Sequence, residues 1–206
     1  MFNKISEIDG NSETEQTIFA LEMEEHIASI RATLSDAMNQ ENLTKLLTMM
    51  DQADRIYITG GRASGVLATL FANILRYLDL KVYDLTFGVG DYLDRISMIE
   101  ERDLVIALSF PRYTTQVIEG IQDLHEASVP IVLITDTGLS PAYPYADLVF
   151  HCPVASGGYF HCYAGCLALI SAICRAAGVS RKKTSIERVR KLESHLLERG
   201  VFTDCS

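Results

Sequence analysis

The fold is decided by the stretch Arg55-Ile56-Tyr57-Ile58-Thr59-Gly60-Gly61-Arg62-Ala63-Ser64-Gly65. Its first five residues have the composition of a short buried strand, and the pattern then breaks at two glycines. From residue 65 to residue 78 the apolar side chains recur at helical spacing. A strand, a tight loop and a helix N-terminus bring free backbone amides and the positive end of a helix dipole together. Such a junction favours a bound anion, most often a phosphate.

Two other interpretations of this loop stay open. A dinucleotide-binding loop has the pattern G-x-G-x-x-G, and Arg62 stands where that pattern requires its second glycine. Asp84, at the end of the next strand pattern, is the acid that would bind the ribose of a nicotinamide cofactor. The loop could also do no more than join a strand to a helix. Because Arg62 argues against a dinucleotide, we prefer phosphate binding and expect no cofactor.

Strand and helix patterns alternate along the middle of the chain. Strands this apolar, linked by helices, indicate a parallel sheet that is buried on both faces. We therefore predict an α/β fold, a doubly wound three-layer αβα sandwich with a five-stranded parallel sheet and an N-terminal helical extension. The predicted strands are 55–59, 81–85, 104–110, 131–135 and 148–152, and helices over 65–78, 91–99 and 115–127 separate most of them.

The N-terminal extension is predicted to be mostly one helix, over residues 13–38. It carries a narrow apolar seam that suits a partner helix, so we expect a homodimer or homotetramer. A second helix, over 43–52, is predicted after the polar break Asn39-Gln40-Glu41-Asn42. The polar break divides the chain into an N-terminal extension, residues 1–42, and a domain, residues 43–206. The apolar seam consists of Ala20, Met23, Ile27, Ile30, Leu34 and Ala37.

The remaining end segments complete this plan. Residues 1–12 are predicted to be disordered. A mostly apolar helix is predicted over 160–177, with Gly178 able to end it, and an amphipathic helix over 185–199 closes the chain.

Composition limits the partners of the chain. It has 206 residues and a formal net charge of −9, and its first 50 residues hold nine acidic side chains against three basic ones. This charge opposes binding to nucleic acid, so we expect no direct DNA binding. No apolar run approaches the length of a membrane span, and the N-terminus lacks the apolar core of a signal peptide. We therefore expect a cytoplasmic protein without a membrane partner.

The five cysteines are expected to be mostly buried free thiols. Cys162 and Cys166 stand four residues apart near a predicted helix start, with His161 beside them. A tetrahedral zinc site would need a further ligand, which His151 or Cys152 could supply only by accident of folding. We therefore predict no metal.

A second loop, Ser109-Phe110-Pro111-Arg112-Tyr113-Thr114, also lies between a strand pattern and a helix pattern. The carboxyl ends of parallel strands form the ligand edge of an open sheet. Hydroxyls and guanidiniums from the two loops could therefore enclose one phosphate. As alternatives, the hydroxyls could cap helices and the arginines could form surface or interface ion pairs. The polar side chains concerned are Arg62, Ser64, Ser109, Arg112, Thr114 and Thr115.

The two loops resemble those of the SIS, or sugar isomerase, domain. That family has the patterns G-x-G-x-S after its first strand and S-x-S-G-x-T after a later one. Gly60-Gly61-Arg62-Ala63-Ser64 keeps the first glycine and the serine, and the second loop keeps Ser109 and Thr114. Arg62, Pro111 and Arg112 are departures from these patterns.

The departures themselves resemble one branch of the RpiR family of phosphosugar-responsive transcription regulators. Over residues 43–177 the chain also has the Thr135-Asp136, Ser140-Pro141 and Ala146-Asp147 pairs of that branch. This resemblance implies a sugar phosphate as the small-molecule partner, held by Ser64, Ser109 and Thr114, with Arg62 and Arg112 in the same loops. The N-terminal helix-turn-helix domain of such regulators has no counterpart here. The full set of predicted ligand residues is Gly60, Gly61, Arg62, Ser64, Ser109, Arg112, Thr114 and Thr115.

Turnover of the ligand would require a base that moves a proton between adjacent carbons. SIS isomerases commonly have a glutamate shortly after the second loop, and Gln116 stands there in this chain. His161 is the best remaining base, ahead of His151, Glu119, Glu187 and His195, although it could also cap or pack against a helix. We therefore prefer a sensor domain. A phosphosugar isomerase that uses His161 is the first alternative, and an accessory protein that binds no ligand is the second.

Overall fold

The computed structural model describes residues 14–86, 91–155 and 160–201. Its centre is a sheet of five parallel strands in the order β2-β1-β3-β4-β5. Ile56 in β1 pairs with Val82 on one side and with Leu104 on the other. The predicted five-stranded parallel sheet is confirmed. The strands are β1 Ile56–Gly60, β2 Val82–Asp84, β3 Leu104–Leu108, β4 Ile131–Thr135 and β5 Leu148–His151.

Helices flank the sheet, and further helices precede its first strand and follow its last strand in the chain. Within the described ranges, none is both long and apolar enough to cross a lipid bilayer. Short 3-10 turns cover Arg76–Leu78 and Tyr143–Tyr145. The α-helices are α1 Glu15–Ser35, α2 Ala37–Gln52, α3 Ala63–Leu75, α4 Tyr92–Ile96, α5 Thr115–Glu126, α6 Ala164–Ser180 and α7 Lys182–Glu198.

The strands are apolar on both faces because each face carries a layer of helices. Ile56 and Ile58 pack with α2, α3 and α6, whereas Tyr57 between them packs with α4 and α5. This alternation follows from the two-residue period of a strand. The predicted three-layer αβα sandwich is therefore confirmed, and α1 forms the predicted helical extension.

The predicted break between the first two helices was in the wrong place. The chain breaks at Asp36, whose carboxylate accepts hydrogen bonds from the amides of Met38 and Asn39 and so caps α2. The polar run 39–42 lies inside α2, and the proposed division at residue 42 therefore falls within a helix. That division stays a prediction.

Asn39 and Asn42 are polar because they pair with the edge strand β5. The side chain of Asn39 accepts from the amide of His151 and donates to its carbonyl oxygen, both at 2.8 Å. Asn42 donates to the carbonyl oxygen of Val149 at 2.8 Å. Two asparagines thus take the place of a sixth strand and cover an edge that would otherwise be open to pairing.

Helix α1 packs on α6 through small polar residues rather than through its apolar seam. A side chain at Gly165 in α6 would collide with Ser29 and Thr33, which shows how closely the two helices approach. Ser29 donates to the carbonyl oxygen of Pro153 at 2.7 Å. The seam residues are exposed, with Leu34 at 69%.

Other helix limits also differ from those predicted. Helix α3 begins at Ala63 rather than Gly65, α4 covers only part of 91–99, and α7 begins at Lys182. Helix α6 begins after residue 163, because the amide of Cys162 bonds to the carbonyl oxygen of Val154 and keeps that segment beside β5. Gly178 does not end α6, because the helix continues to Ser180. The predicted disordered segment, residues 1–12, lies outside the described residues.

Candidate functional site

The candidate site lies where the strand order reverses. Strand β2 lies on one side of β1, and β3 lies on its other side. In an open parallel sheet, the crevice outside the carboxyl ends of two such strands is the expected ligand site. The loops that follow β1 and β3 meet there, and they are the two loops that the sequence indicated.

The first loop has glycines because backbone atoms crowd Gly60 and a side chain crowds Gly61 too closely for a Cβ. A Cβ at Gly60 would lie 2.8 Å from the carbonyl oxygen of Ser64. A Cβ at Gly61 would overlap the hydroxyl of Thr114 in the second loop. The contact between Gly61 and Thr114 therefore fixes the separation of the two loops.

Arg62 and Arg112 both adopt a backbone conformation that favours glycine. Arg62 has φ 58° and ψ −125°, and Arg112 has φ 65°. Such conformations cost roughly 1–3 kcal/mol for a residue with a side chain. Both arginines are exposed, and they line the same cavity as Tyr163. Burial raises the pKa of the Tyr163 phenol, and the positive charges of Arg112 and Arg62 oppose that rise.

The two loops enclose a cavity of about 270 Å³. One part of its wall is polar and comes from the loops and from the first turns of α3 and α5. The other part is apolar, and there Phe110 and Tyr163 pack edge to face with their ring centroids 5.6 Å apart. The lining residues are Gly61, Arg62, Ala63, Ser64, Leu108, Ser109, Phe110, Pro111, Arg112, Thr114, Val117 and Tyr163.

Ser109 carries a hydroxyl without a protein partner in the wall of this cavity. The residue is 3% exposed, and its Oγ atom has no hydrogen-bond partner among the described residues. Its backbone is fixed, because its amide bonds to Ile134 and its carbonyl oxygen accepts from Thr135 at 2.6 Å. A buried polar group without a partner costs about 1–3 kcal/mol. A ligand atom in the cavity would supply the missing partner.

The second loop is held to the end of β4 by Tyr113. Its hydroxyl donates to the carboxylate of Asp136 at 2.9 Å. Burial and this hydrogen bond raise the pKa of Tyr113 to about 12. Arg112, the neighbouring residue, is therefore presented from a fixed backbone.

The structure brings six of the eight predicted ligand residues to the cavity. Gly60 and Thr115 do not line it: Gly60 lies beneath the loop, and Thr115 is the exposed first residue of α5. Sequence reasoning did not select Phe110, Val117 or Tyr163. The sequence offered one signal for Tyr163, because it lies between a predicted strand and an apolar helix, where side chains can reach the ligand edge of the sheet.

None of the candidate bases lines the cavity among the described residues. His161 packs edge to face on Tyr163, with ring centroids 6.2 Å apart. His151 lies 3.4 Å from the carboxylate of Asp36. Glu119 is exposed on α5, and Glu187 and His195 belong to α7.

The cysteines are buried free thiols, as predicted, at positions 152, 162, 166 and 174. A hydrogen bond with Cys152, together with burial, raises the pKa of the Cys166 thiol. Within residues 14–86, 91–155 and 160–201, no three His, Cys, Asp or Glu side chains form a group that could hold a metal ion. The carboxylate of Asp84, the candidate ribose ligand, accepts instead from the amide of Thr86 at 2.7 Å.

Comparison with known proteins identifies the family. Residues 49–173, more than half of the chain, match the model of the SIS domain. The chain belongs to the SIS domain family. The match includes both loops of the cavity, so the candidate site of this SIS domain lies within the matched region. Among curated proteins, no sequence match was found.

Solved structures similar to this SIS domain include regulators and isomerases. The sugar isomerase domain of an RpiR transcription factor from Sphaerobacter thermophilus has a TM-score of 0.81 and 20% identity, over 87% of this chain and 99% of that one. Vibrio vulnificus NanR, complexed with ManNAc-6P, gives 0.75 and 17%, over 96% and 72%. Phosphoheptose isomerase GmhA from Neisseria gonorrhoeae gives 0.68 and 16%, over 81% and 100%. At these identities the similarity establishes the fold.

Proposed function

We propose that the cavity binds the phosphate group of a sugar phosphate. The main support is the hydroxyl of Ser109, which is buried in the cavity wall and has no partner in the part of the chain that the structure describes. Two helix N-termini and two arginines surround it, and both features attract anions. In this proposal the phosphate is bound by Gly61, Arg62, Ser64, Ser109, Arg112 and Thr114.

We further propose that the chain is the effector-sensing part of an RpiR-like regulator. An RpiR transcription factor domain and NanR share its fold, and NanR was solved with the sugar phosphate ManNAc-6P. The net charge of −9 opposes direct DNA binding by this chain.

Binding without turnover is favoured over isomerisation. The cavity lining contributes cations, hydroxyls and apolar groups, but no carboxylate or imidazole among the described residues. Proton transfer between adjacent carbons needs such a group within hydrogen-bond reach of the substrate. Gln116, on the first turn of α5, has an amide that cannot serve as a base.

The binding proposal is tested by a thermal-shift screen against pentose, hexose and amino-sugar phosphates. A ligand that binds only the folded protein raises its melting temperature. Ser109→Ala should abolish most of that rise. Ser140→Ala is the matched control, because Ser140 also has a buried hydroxyl without a partner among residues 14–86, 91–155 and 160–201 but does not line the cavity. If no compound stabilises the protein at millimolar concentration, or if both variants respond alike, the proposal fails.

Turnover is tested separately with any compound that binds. Aldose–ketose exchange should stay at the level of a protein-free control over many hours. If exchange occurs and His161→Ala removes it, the isomerase alternative is correct and His161 is its base.

The exposed apolar face of α1 supports assembly into a homodimer or homotetramer. Large apolar side chains such as Phe19, at 68% exposure, and Leu34 lie on this face, and contiguous patches of this kind mark interaction surfaces. Light scattering should give a multiple of the 22.9 kDa chain mass. Leu34→Glu should lower it, whereas Leu139→Glu, at an exposed apolar residue elsewhere, should not. A 22.9 kDa species in the unmodified protein would contradict assembly.

A further inference from the structure

A second concave surface lies between the end of α3 and the last helix. It has a volume of about 660 Å³, which is within the usual size range of small-molecule sites. Its lining includes the basic residues Arg76, Arg188 and Lys191, together with His195. No carboxylate belongs to this lining in the described part of the chain. In a chain of net charge −9, such a concentration of basic groups is unusual.

One wall of this groove is a face of α7. Positions 188, 191, 192 and 195 follow the helical spacing that places side chains on one side of a helix. Three of these four side chains carry nitrogen donors, and Leu192 supplies the apolar one. The opposite wall is formed by Asn73, Arg76 and Tyr77.

The protein holds two of these guanidiniums in place. Arg76 donates to the carbonyl oxygen of Val82 at 3.1 Å and to Asn73 at 2.7 Å. Arg188 donates to the carbonyl oxygen of Arg76 at 3.1 Å and to the carboxylate of Asp79 at 3.0 Å. Such positioning lowers the ordering cost of binding, because these side chains are already restrained.

Attachment of the last helix does not account for the whole groove. The bonds of Arg188 tie α7 to the 3-10 turn, and those bonds use one carboxylate, Asp79. Lys191 and His195 line the same groove without a hydrogen bond or ion pair to any described residue. Burial acts to raise the pKa of Asp84, but hydrogen bonds with Thr86 and Thr69 lower it, and the charge of Arg76 adds only a smaller lowering. Lys191 and His195 thus remain as nitrogen donors in the groove that no described carboxylate pairs with directly.

We propose that this groove is a second anion site, which binds a small phosphorylated molecule with more than one negative charge. Guanidinium and ammonium groups are the side chains that recognise phosphate oxygens. Tyr77 and Leu192 offer an apolar surface for the rest of such a molecule. The site is distinct from the first cavity, because α3 separates them: Ser64 lies in its first turn, and Arg76 follows its last residue.

The test uses inorganic pyrophosphate as the probe and nuclear magnetic resonance of the full chain as the readout. Saturable amide shifts are expected around Asn73–Tyr77 and Arg188–His195. Lys191→Glu should weaken this binding by roughly tenfold or more, since it replaces an attractive charge with a repulsive one. Arg190→Glu is the matched control, because it makes the same charge change on the same helix outside the groove.

Two further results distinguish the sites and the ligand classes. Ser109→Ala should leave binding in the groove unchanged even though it impairs the first cavity, so failure of one site does not imply failure of the other. The proposal is overturned if the shifts do not saturate, or if Arg190→Glu weakens binding as much as Lys191→Glu. It is also overturned if a short DNA duplex displaces pyrophosphate at far lower concentration, which would make the groove a nucleic-acid surface.

Discussion

Replacing Arg62 by glycine tests whether the arginines of the cavity bind the ligand or brace the loops. Arg62 has φ 58° and ψ −125°, and Arg112 has φ 65°. These are conformations that glycine adopts easily and other residues adopt at a cost. Arg62→Gly and Arg112→Gly should therefore stabilise the free protein and, at the same time, weaken its binding of a phosphate ligand.

The size of the stability effect follows from two opposing contributions. Relief of backbone strain contributes about 1–3 kcal/mol in favour of glycine. The greater freedom of glycine in the unfolded chain takes back about 0.4–1 kcal/mol. For a chain of this length, each kcal/mol shifts the melting temperature by about 2–4 °C. A rise of a few degrees is therefore expected for each variant.

The loss of affinity has a different origin. A hydrogen bond between a guanidinium and a phosphate oxygen contributes about 1.5–3 kcal/mol. Because 1.4 kcal/mol is a factor of ten in affinity, each variant should bind about 10 to 150 times more weakly. Calorimetric titration with a compound from the sugar-phosphate screen measures this loss, and a thermal melt of the free protein measures stability.

Ser128→Gly is the control for the backbone effect. Ser128 has φ 59° at the end of α5, and it does not line the cavity. This variant should raise the melting temperature and leave the dissociation constant unchanged. A lower melting temperature for Arg62→Gly, with unchanged affinity, would show that Arg62 braces the loop and that our assignment is wrong.

Three further predictions concern the scaffold. Asn39→Leu should lower the free energy of unfolding, measured in urea titrations, by about 2–4 kcal/mol, because it leaves backbone groups of the β5 edge unpaired. The control is Gln40→Leu at an exposed position, which should change the free energy of unfolding by less than about 1 kcal/mol. Gly165→Ala should destabilise by about 1–3 kcal/mol through collision with α1, whereas Gly178→Ala in the same helix should stabilise slightly. The pKa of Tyr113 is raised from 10.0 to about 12 in the folded protein, so the folded state keeps the phenol neutral where the unfolded state ionises. The free energy of unfolding should therefore fall between pH 10 and pH 12 in the unmodified protein, and Tyr113→Phe should remove that part of the fall.

The sheet could be predicted from sequence because its strands are buried on both faces. Each strand then appears as a short, nearly continuous apolar run, and every predicted run overlaps an observed strand. The first two helices were harder to predict. Asn39 and Asn42 have the composition of a loop, and only the presence of β5 beside them makes them helical residues with satisfied side chains. Partners more than 100 positions away leave no local signal.

The site could be predicted in part for a similar reason. Gly61 and Ser109 follow strands directly, Ser64 and Thr114 lie within six residues of the same strand ends, and a parallel sheet brings such positions to one edge. Tyr163 belongs to a different segment, and its place in the cavity wall depends on how α6 packs. The apolar seam on α1 was visible in the sequence, but the pattern did not reveal that Ser29 and Thr33 would make the contact within the chain.

The cavity combines three features on which a bound phosphate would act differently. The hydroxyl of Ser109 lacks a partner among the described residues, and two guanidiniums of like charge line the same cavity. An anion would relieve both, because it accepts hydrogen bonds and separates the positive charges. The backbone strain at Arg62 and Arg112 would stay, because it does not depend on the ligand. If the cavity binds an anion, the backbone strain therefore lowers stability both with and without the ligand. The strained backbone would then be kept because it places the two guanidiniums at the cavity. If the arginines do not bind the ligand, replacing either one by glycine leaves the affinity unchanged, which is why affinity, and not stability alone, decides between the two explanations.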